Sequence, residues 1–144
     1  MNPPFDIPAV DTKPVSNMYS DKVPAGFPSP AADYAERPLD LNDYCIKKPA
    51  ATFFVRAQGD SMRGVGIYDN DLLVVDRSLS AAHRRIVIAV VDGEFTVKRL
   101  DLSDPDRPVL RAENPEYQDI HLKDGNELQI FGVVRNVIHS TLDV

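Results

Sequence analysis

From residue 51 onward, short apolar runs alternate with turn-like separators. The separators are rich in Asp, Asn, Gly and Pro, which favour turns for local steric and hydrogen-bonding reasons. The runs predict seven strands, at residues 52–57, 72–76, 86–91, 94–100, 109–112, 120–122 and 127–139. Because no helix of ten or more residues is predicted between them, we expect a mainly β body built as an antiparallel sheet.

The strongest local signal is Asp92-Gly93, which lies between two apolar runs. This dipeptide favours a two-residue type I′ hairpin turn. If the turn forms, facing residue numbers sum to 185, so that Lys98 faces Val87 and Thr96 faces Ala89. Side chains alternate along a strand, so Lys98 is expected on the opposite face from its two neighbours in sequence.

Prolines set the first part of the chain apart from the rest. Eight of the 12 prolines fall within the first 38 residues. Each proline fixes its own φ and restricts the preceding residue, so residues 1–28 can form neither a regular helix nor a central strand. We therefore predict a mobile, extended N-terminal arm over residues 1–38, followed by a folded domain over residues 39–144.

One or two short helices are expected where the arm meets the body. Ser29 and Pro30 can open a helix that continues through Glu36, with serine as the N-cap and proline at the first helical position. Asp40 can cap a second helix over residues 41–48, which Pro49 would end.

Composition limits the classes of function. With 144 residues, 43% hydrophobic and 26% charged, the chain is typical of one soluble domain. It has no long apolar run and no signal-like start, so we expect a cytoplasmic protein without membrane contact. The formal net charge is −6 and the basic residues are scattered, which argues against direct sequence-specific DNA binding.

Metal and cofactor sites are not expected. The single cysteine, Cys45, excludes an internal disulfide and a cysteine-based zinc site, and it is predicted to be a small apolar residue of a helix face. The three histidines lack metal-site spacing. Asp69 and Asp71 flank Asn70, but the glycine and glutamate of a calcium loop are missing, which favours a turn.

Candidate chemistry begins at Gly59-Asp60-Ser61-Met62, which follows a predicted strand. A serine in this setting can be held out of the sheet near backbone N–H groups, as acyl-transfer nucleophiles require. The backbone N–H groups of Asp60 and Ser61 are the candidate oxyanion hole. The same residues are also ordinary turn formers, so the segment taken alone favours a simple turn.

Lys98 is the candidate general base for Ser61. An ammonium group placed against apolar side chains loses hydration, and desolvation lowers its pKa so that a neutral amine becomes available. A neutral amine can accept the proton of a serine hydroxyl. Two alternatives stay open: Lys98 can extend its ammonium group to water, and Ser61 can belong to a Ser-His-Asp triad assembled from distant positions.

Several segments together resemble the LexA/UmuD family of self-cleaving serine peptidases, and the segment upstream of the body is similar to the UmuD branch. The similarity spans roughly residues 20–138. It rests on the segments at residues 25–34, 59–62, 66–76 and 92–100. The resemblance implies a curved, LexA-like sheet, a cleavable arm over residues 1–38, and a Ser-Lys peptidase and dimerisation domain over residues 39–144. It also implies Ser61 as nucleophile, Lys98 as general base and Ala25-Gly26 as the bond cleaved.

The resemblance also implies a role in the SOS response to DNA damage. Family members cleave their own arm, promoted by RecA filaments on single-stranded DNA. The trimmed homodimer then joins a UmuC-type polymerase subunit for error-prone translesion synthesis, and the polymerase sliding clamp is a further candidate partner. The alternative is a non-catalytic dimeric accessory subunit that only binds the polymerase.

The chain departs from the family pattern in two places. Arg84-Arg85 stands where Gly-Asp is usual, which changes the charge near the hairpin that carries Lys98. Asn70 stands at a usual glycine, a mild change because asparagine tolerates positive φ.

Overall fold

The computed structural model describes residues 15–19, 22–28, 30, 36–123 and 127–142. The chain divides into two compact units, one ending at Tyr44 and the other beginning at Cys45.

The first unit contains a two-stranded antiparallel sheet. Strand β1, Ser16–Tyr19, pairs with β2, Glu36–Leu39, and Asn17 lies opposite Pro38. Pro38 is tolerated because both strands of a two-stranded sheet are edge strands, where an N–H can be missing. The predicted extended arm therefore contributes to one short strand pair. Its two strands are far apart in sequence, so the local proline content does not reveal it.

Helix α1, Leu41–Cys45, is shorter than predicted. The predicted cap is confirmed, because the Asp40 carboxylate accepts the Asn42 backbone N–H at 2.9 Å. The predicted extension to Lys48 is wrong. Lys48 precedes Pro49 and has φ −130° and ψ 87°, a non-helical conformation, and a following proline disfavours the helical one. Cys45 is buried, as expected.

The other predicted helix falls mostly outside the described residues. Residues 31–35 are not described, and Pro30 has no regular secondary structure. Glu36, its predicted last residue, is instead the first residue of β2. The prediction is therefore wrong at that end.

The second unit is a seven-stranded sheet, and the predicted mainly β body is confirmed. All neighbouring strands are antiparallel, in the order β3-β4-β9-β5-β6-β7-β8. Each strand begins and ends within one residue of its predicted bounds. The strands are β3 Thr52–Arg56, β4 Leu72–Asp76, β5 Ile86–Val91, β6 Glu94–Asp101, β7 Val109–Arg111, β8 Ile120–His121 and β9 Leu128–Ile138.

Alternation along the central strands creates two apolar clusters. Ile88 of β5 belongs to a cluster with Met62 and Leu73, whereas its neighbour Val87 belongs to a second cluster with Leu110. Because successive side chains of a strand point to opposite faces, the two clusters cover the two sides of the sheet. Bulges interrupt the pairing of β9 with β4 and with β5, and bulges bend strands. In the described part of the chain, no helix is long and apolar enough to cross a membrane.

Candidate active site

The β5–β6 hairpin places Lys98 as predicted. Asp92 and Gly93 have φ of 48° and 85°, the positive values that a type I′ turn requires, and Lys98 lies opposite Val87. Val87 is fully buried, and Lys98 itself is only 8% exposed. The alternative in which Lys98 extends its amine to water is therefore wrong.

The Lys98 amine has three oxygen neighbours. Its Nζ lies 3.0 Å from Ser61 Oγ, 3.0 Å from Thr96 Oγ1 and 3.0 Å from the Val97 carbonyl oxygen. A carbonyl can only accept, and the Thr96 hydroxyl can accept a second N–H. A neutral amine has two N–H bonds and one lone pair, so its lone pair remains for the Ser61 hydroxyl.

Burial favours this neutral form. Loss of hydration lowers the pKa of Lys98 below its ordinary value near 10.5, and the Asp119 carboxylate opposes part of this effect. Asp119 is itself engaged, because it accepts hydrogen bonds from Arg111 Nη1 at 2.7 Å and the Ala112 N–H at 2.9 Å.

Ser61 lies in a compact turn between β3 and β4. Gly59 has φ 84°, and its N–H donates to the Asp69 carboxylate at 2.7 Å. Met62, the residue after Ser61, is 2% exposed and belongs to the apolar core. The turn interpretation and the nucleophile interpretation are thus compatible, because the turn anchors the chain on both sides of the serine. Asn70, with φ 69°, occupies the predicted turn before β4.

A distant segment, residues 113–117, holds the Ser61 turn from outside. The Glu113 N–H donates to the Ser61 carbonyl at 2.8 Å, and the Gly64 N–H donates to the Glu113 carbonyl at 2.7 Å. Sequence reasoning treated this stretch only as a separator between strands. No local signal could have found the contacts, since these partners are about fifty residues apart.

The same segment links the turn to β6, the strand that carries Lys98. Arg99, the neighbour of Lys98, places its Nε 2.5 Å from the Glu113 carboxylate. Its Nη1 also donates to the Arg84 carbonyl at 2.6 Å. Hydrogen bonds therefore join the Ser61 turn, Glu113 and strand β6 into one unit.

Ser61 and Lys98 open onto a cleft of about 490 Å³. Its apolar walls include Val55, Ile88 and Phe131. Phe95 and Phe131 meet edge to face with ring centroids 5.9 Å apart. Such a cleft can exclude water from a bound apolar peptide segment, which strengthens electrostatic interactions inside it.

The backbone near Ser61 offers unused donors. Among the residues that the structure describes, neither the Asp60 N–H nor the Ser61 N–H has a hydrogen-bond acceptor. Unpaired N–H groups beside a nucleophile are available to a developing oxyanion.

None of the three histidines, all of them described, hydrogen-bonds to Ser61. His139 Nδ1 lies 2.6 Å from the buried Asp71 carboxylate, and His83 Nδ1 accepts the Leu102 N–H at 2.9 Å. The Ser61 hydroxyl contacts Lys98 instead. The geometry therefore favours the Ser-Lys pair over a Ser-His-Asp triad.

The predicted cleavage site lies in the first unit. Ala25 and Gly26 are both exposed and belong to a bend over residues 25–27. The flanking side chains Val23 and Phe27 are 90% and 93% exposed. A backbone segment in this state is accessible to a protease active site.

Comparison with protein families identifies the fold and chemistry class. A family described as Peptidase S24-like matches residues 17–135. The chain belongs to the S24 peptidase family. This membership supports a serine peptidase that cleaves itself, and it confirms the LexA/UmuD resemblance drawn from the motifs.

Three S24 relatives cover most of the chain. SamA of Salmonella typhimurium is 52% identical over 138 residues, covering 96% of this chain and 93% of SamA. ImpA of Escherichia coli is 50% identical over 139 residues, covering 95% of this chain and 92% of ImpA. MucA of Escherichia coli is 46% identical over 118 residues, covering 81% and 80%. All three are UmuD-like proteins.

Proposed function

We propose that the chain cuts its own Ala25-Gly26 bond with Ser61 as nucleophile and Lys98 as general base. The observation that carries this proposal is the 3.0 Å contact between Ser61 Oγ and Lys98 Nζ, made by a lysine that is 8% exposed. A buried amine at hydrogen-bonding distance from an alcohol, beside an apolar cleft, meets the geometric requirement for general-base catalysis.

In the first step, neutral Lys98 takes the proton of the Ser61 hydroxyl as Oγ attacks the Ala25 carbonyl carbon. Negative charge develops on the Ala25 carbonyl oxygen. The N–H groups of Asp60 and Ser61 are suited to stabilise it, since neither has another acceptor in the described structure.

Collapse of this intermediate breaks the bond between Ala25 and Gly26. The Lys98 ammonium returns its proton to the Gly26 nitrogen, which leaves as a free amine, and Ala25 remains as an ester on Ser61 Oγ. Water then hydrolyses the ester with Lys98 again acting as the base. The products are residues 1–25 and a body that begins at Gly26.

Incubation of the purified chain at alkaline pH tests the proposal. We expect a product with Gly26 at its N-terminus, identified by mass spectrometry. Ser61→Ala and Lys98→Met should abolish it, whereas Lys48→Met, at an exposed lysine, should not. Lys98→Arg retains the positive charge but cannot supply a neutral base, so it should also be inactive. Cleavage by Ser61→Ala at the parent rate would refute the assignment.

We further propose that the trimmed body forms a homodimer and serves error-prone translesion synthesis in the SOS response. S24 membership and the similarity to SamA, ImpA and MucA support this role. The proposed partners are a RecA filament on single-stranded DNA, which would promote cleavage, a UmuC-type polymerase subunit and the polymerase sliding clamp.

The role of the activator is tested at neutral pH, where a smaller fraction of Lys98 is neutral than at alkaline pH. Adding RecA filaments to the purified chain should accelerate appearance of the Gly26 product. If no condition yields that product and Ser61→Ala still supports polymerase binding like the parent, the chain is a non-catalytic accessory subunit.

A further inference from the structure

We propose that Tyr117 and Asn114 are positioning residues that hold the Asp60 peptide groups so that the oxyanion hole exists before the substrate binds. This inference rests on the proposed self-cleavage. It assigns a function to a segment that is far from Ser61 in sequence and touches neither Ser61 Oγ nor Lys98 Nζ in the described structure.

The argument begins with the peptide group between Asp60 and Ser61. Its carbonyl oxygen accepts the Asn114 side-chain Nδ2 at 2.8 Å and, more weakly, the Arg63 N–H at 3.3 Å. In a planar trans peptide, the C=O and N–H bonds point in opposite directions. Holding the Asp60 oxygen on one side therefore directs the Ser61 N–H to the other side.

The next peptide group along the chain is fixed in the same way. The Ser61 carbonyl oxygen accepts the Glu113 N–H at 2.8 Å. Residues 113 and 114 thus hold two successive carbonyls around the nucleophile, and they leave the N–H groups of Asp60 and Ser61 without an acceptor in the described structure.

Tyr117 holds the preceding residue through its side chain. The Tyr117 hydroxyl donates to Oδ1 of Asp60, while Arg63 lies 4.0 Å from the other carboxylate oxygen, a distant and exposed ion pair. The hydrogen bond to Asp60 raises the pKa of Tyr117 above its ordinary value near 10. The hydrogen bond therefore favours the protonated phenol, which is the form that donates to Asp60.

Hydrogen bonds within their own segment fix the positions of Tyr117 and Asn114. The Tyr117 N–H donates to the Asn114 carbonyl at 3.0 Å, and the Asn114 Oδ1 accepts the Glu116 N–H at 3.0 Å. The segment is thus a closed turn, and a rigid neighbour can transmit its position to Asp60.

Tyr117→Phe tests the role because it removes one hydroxyl and leaves the ring. Self-cleavage is measured as a first-order rate across pH. We expect the plateau rate to fall by about tenfold, within the roughly 100-fold loss that a misplacement of about 1 Å can cause. The pH midpoint should not move, since Lys98 is untouched. Tyr44→Phe, which removes an exposed hydroxyl, is the matched control and should cleave like the parent.

Asp60 variants test whether Tyr117 acts through this side chain. Asp60→Asn keeps an oxygen acceptor for the Tyr117 hydroxyl and should retain most of the plateau rate. Asp60→Ala should lose about as much as Tyr117→Phe, and the double variant should lose little more. Full additivity of the two single effects would overturn the proposed coupling.

Asn114→Asp is the second, independent variant, and it also serves if Tyr117→Phe fails to fold. It keeps the acceptor for the Glu116 N–H but replaces the donor to the Asp60 carbonyl with an oxygen. A lower plateau at unchanged midpoint, in a variant with a parent-like melting transition, supports the inference. Parent-like plateau rates overturn it while self-cleavage stands, whereas a parent that never cleaves refutes the proposed function and this inference with it.

Discussion

Replacing Arg84 with glycine should stabilise the protein. Arg84 has φ 74°, in the left-handed region that side chains with a Cβ rarely adopt. Its backbone is well paired, because its N–H donates to the Leu100 carbonyl at 2.7 Å and its carbonyl accepts Arg99 Nη1 at 2.6 Å. The Arg84 side chain is exposed, and no hydrogen bond or ion pair of its guanidinium is present among the described residues.

The expected gain follows from two opposing effects. A left-handed conformation costs a residue with a Cβ about 1–2 kcal/mol. Glycine avoids this cost but loses about 0.5–1 kcal/mol more conformational entropy on folding. With the midpoints of the two ranges, the net increase in the free energy of unfolding is about 0.75 kcal/mol. For a chain of this size, that corresponds to a rise in melting temperature of roughly 1–4 °C.

Urea unfolding of three proteins measures this effect: the parent, Arg84→Gly and Arg84→Ala. The two variants lose the same charge and the same guanidinium, but only alanine retains the Cβ at positive φ. Arg84→Gly should unfold at higher urea concentration than the parent with an unchanged slope, and Arg84→Ala should show no comparable gain. If alanine stabilises as much as glycine, backbone strain at Arg84 is not the cause.

The remaining predictions concern the pKa of Lys98, the buried carboxylate of Asp76 and the Ser61 turn. The rate of self-cleavage should rise about tenfold per pH unit and then level off below pH 10.5, because burial lowers the pKa of Lys98. A plateau that is reached only above pH 10.5 would contradict this prediction. Asp119→Asn should move the midpoint lower still, since the Asp119 carboxylate raises the pKa of Lys98. Asp76→Asn should lower the free energy of unfolding at neutral pH by about 1.5–3 kcal/mol, because the buried carboxylate accepts charged and neutral hydrogen bonds. Hydrogen bonds from Ser78 hold the pKa of Asp76 below its ordinary 3.8, so the parent should lose this stability as the pH falls below 3.8. In urea titrations over that pH range, the free energy of unfolding of Asp76→Asn should therefore fall less steeply than that of the parent. Gly64→Ala should slow self-cleavage and lower the melting temperature, because the alanine Cβ would lie 2.5 Å from the Glu113 carbonyl oxygen. Parent-like values in both measurements would show that the turn can shift freely.

The sheet could be predicted because its signals are local. Asp92-Gly93 fixes the hairpin turn, and the period of two along β5 and β6 then fixes which residue Lys98 faces. The predicted helix over residues 41–48 is too long for an equally local reason, because Pro49 disfavours the helical conformation at Lys48, which is non-helical in the structure.

The sequence predicts only part of the candidate site. That Ser61 and Lys98 meet depends on β9 lying between β4 and β5, a long-range pairing that spacing does not encode. Only the resemblance to the LexA/UmuD family brings Ser61 and Lys98 together at the level of sequence. The hydrogen bonds from residues 113–117 to the Ser61 turn carry no such signal, because an ordinary Asn-Pro turn and a turn that supports a nucleophile have the same composition.

The small sheet of the first unit would give the proposed cut at Ala25-Gly26 a thermodynamic direction. Strands β1 and β2 lie on opposite sides of the Ala25-Gly26 bond, so a covalent loop joins them until that bond is broken. Afterwards the four residue pairs must hold two separate molecules together, without the high effective concentration that the loop provided. An isolated two-stranded sheet is marginal in water, so the liberated peptide should diffuse away. Departure of the fragment would make re-ligation negligible, and β2 would be left with an uncovered edge.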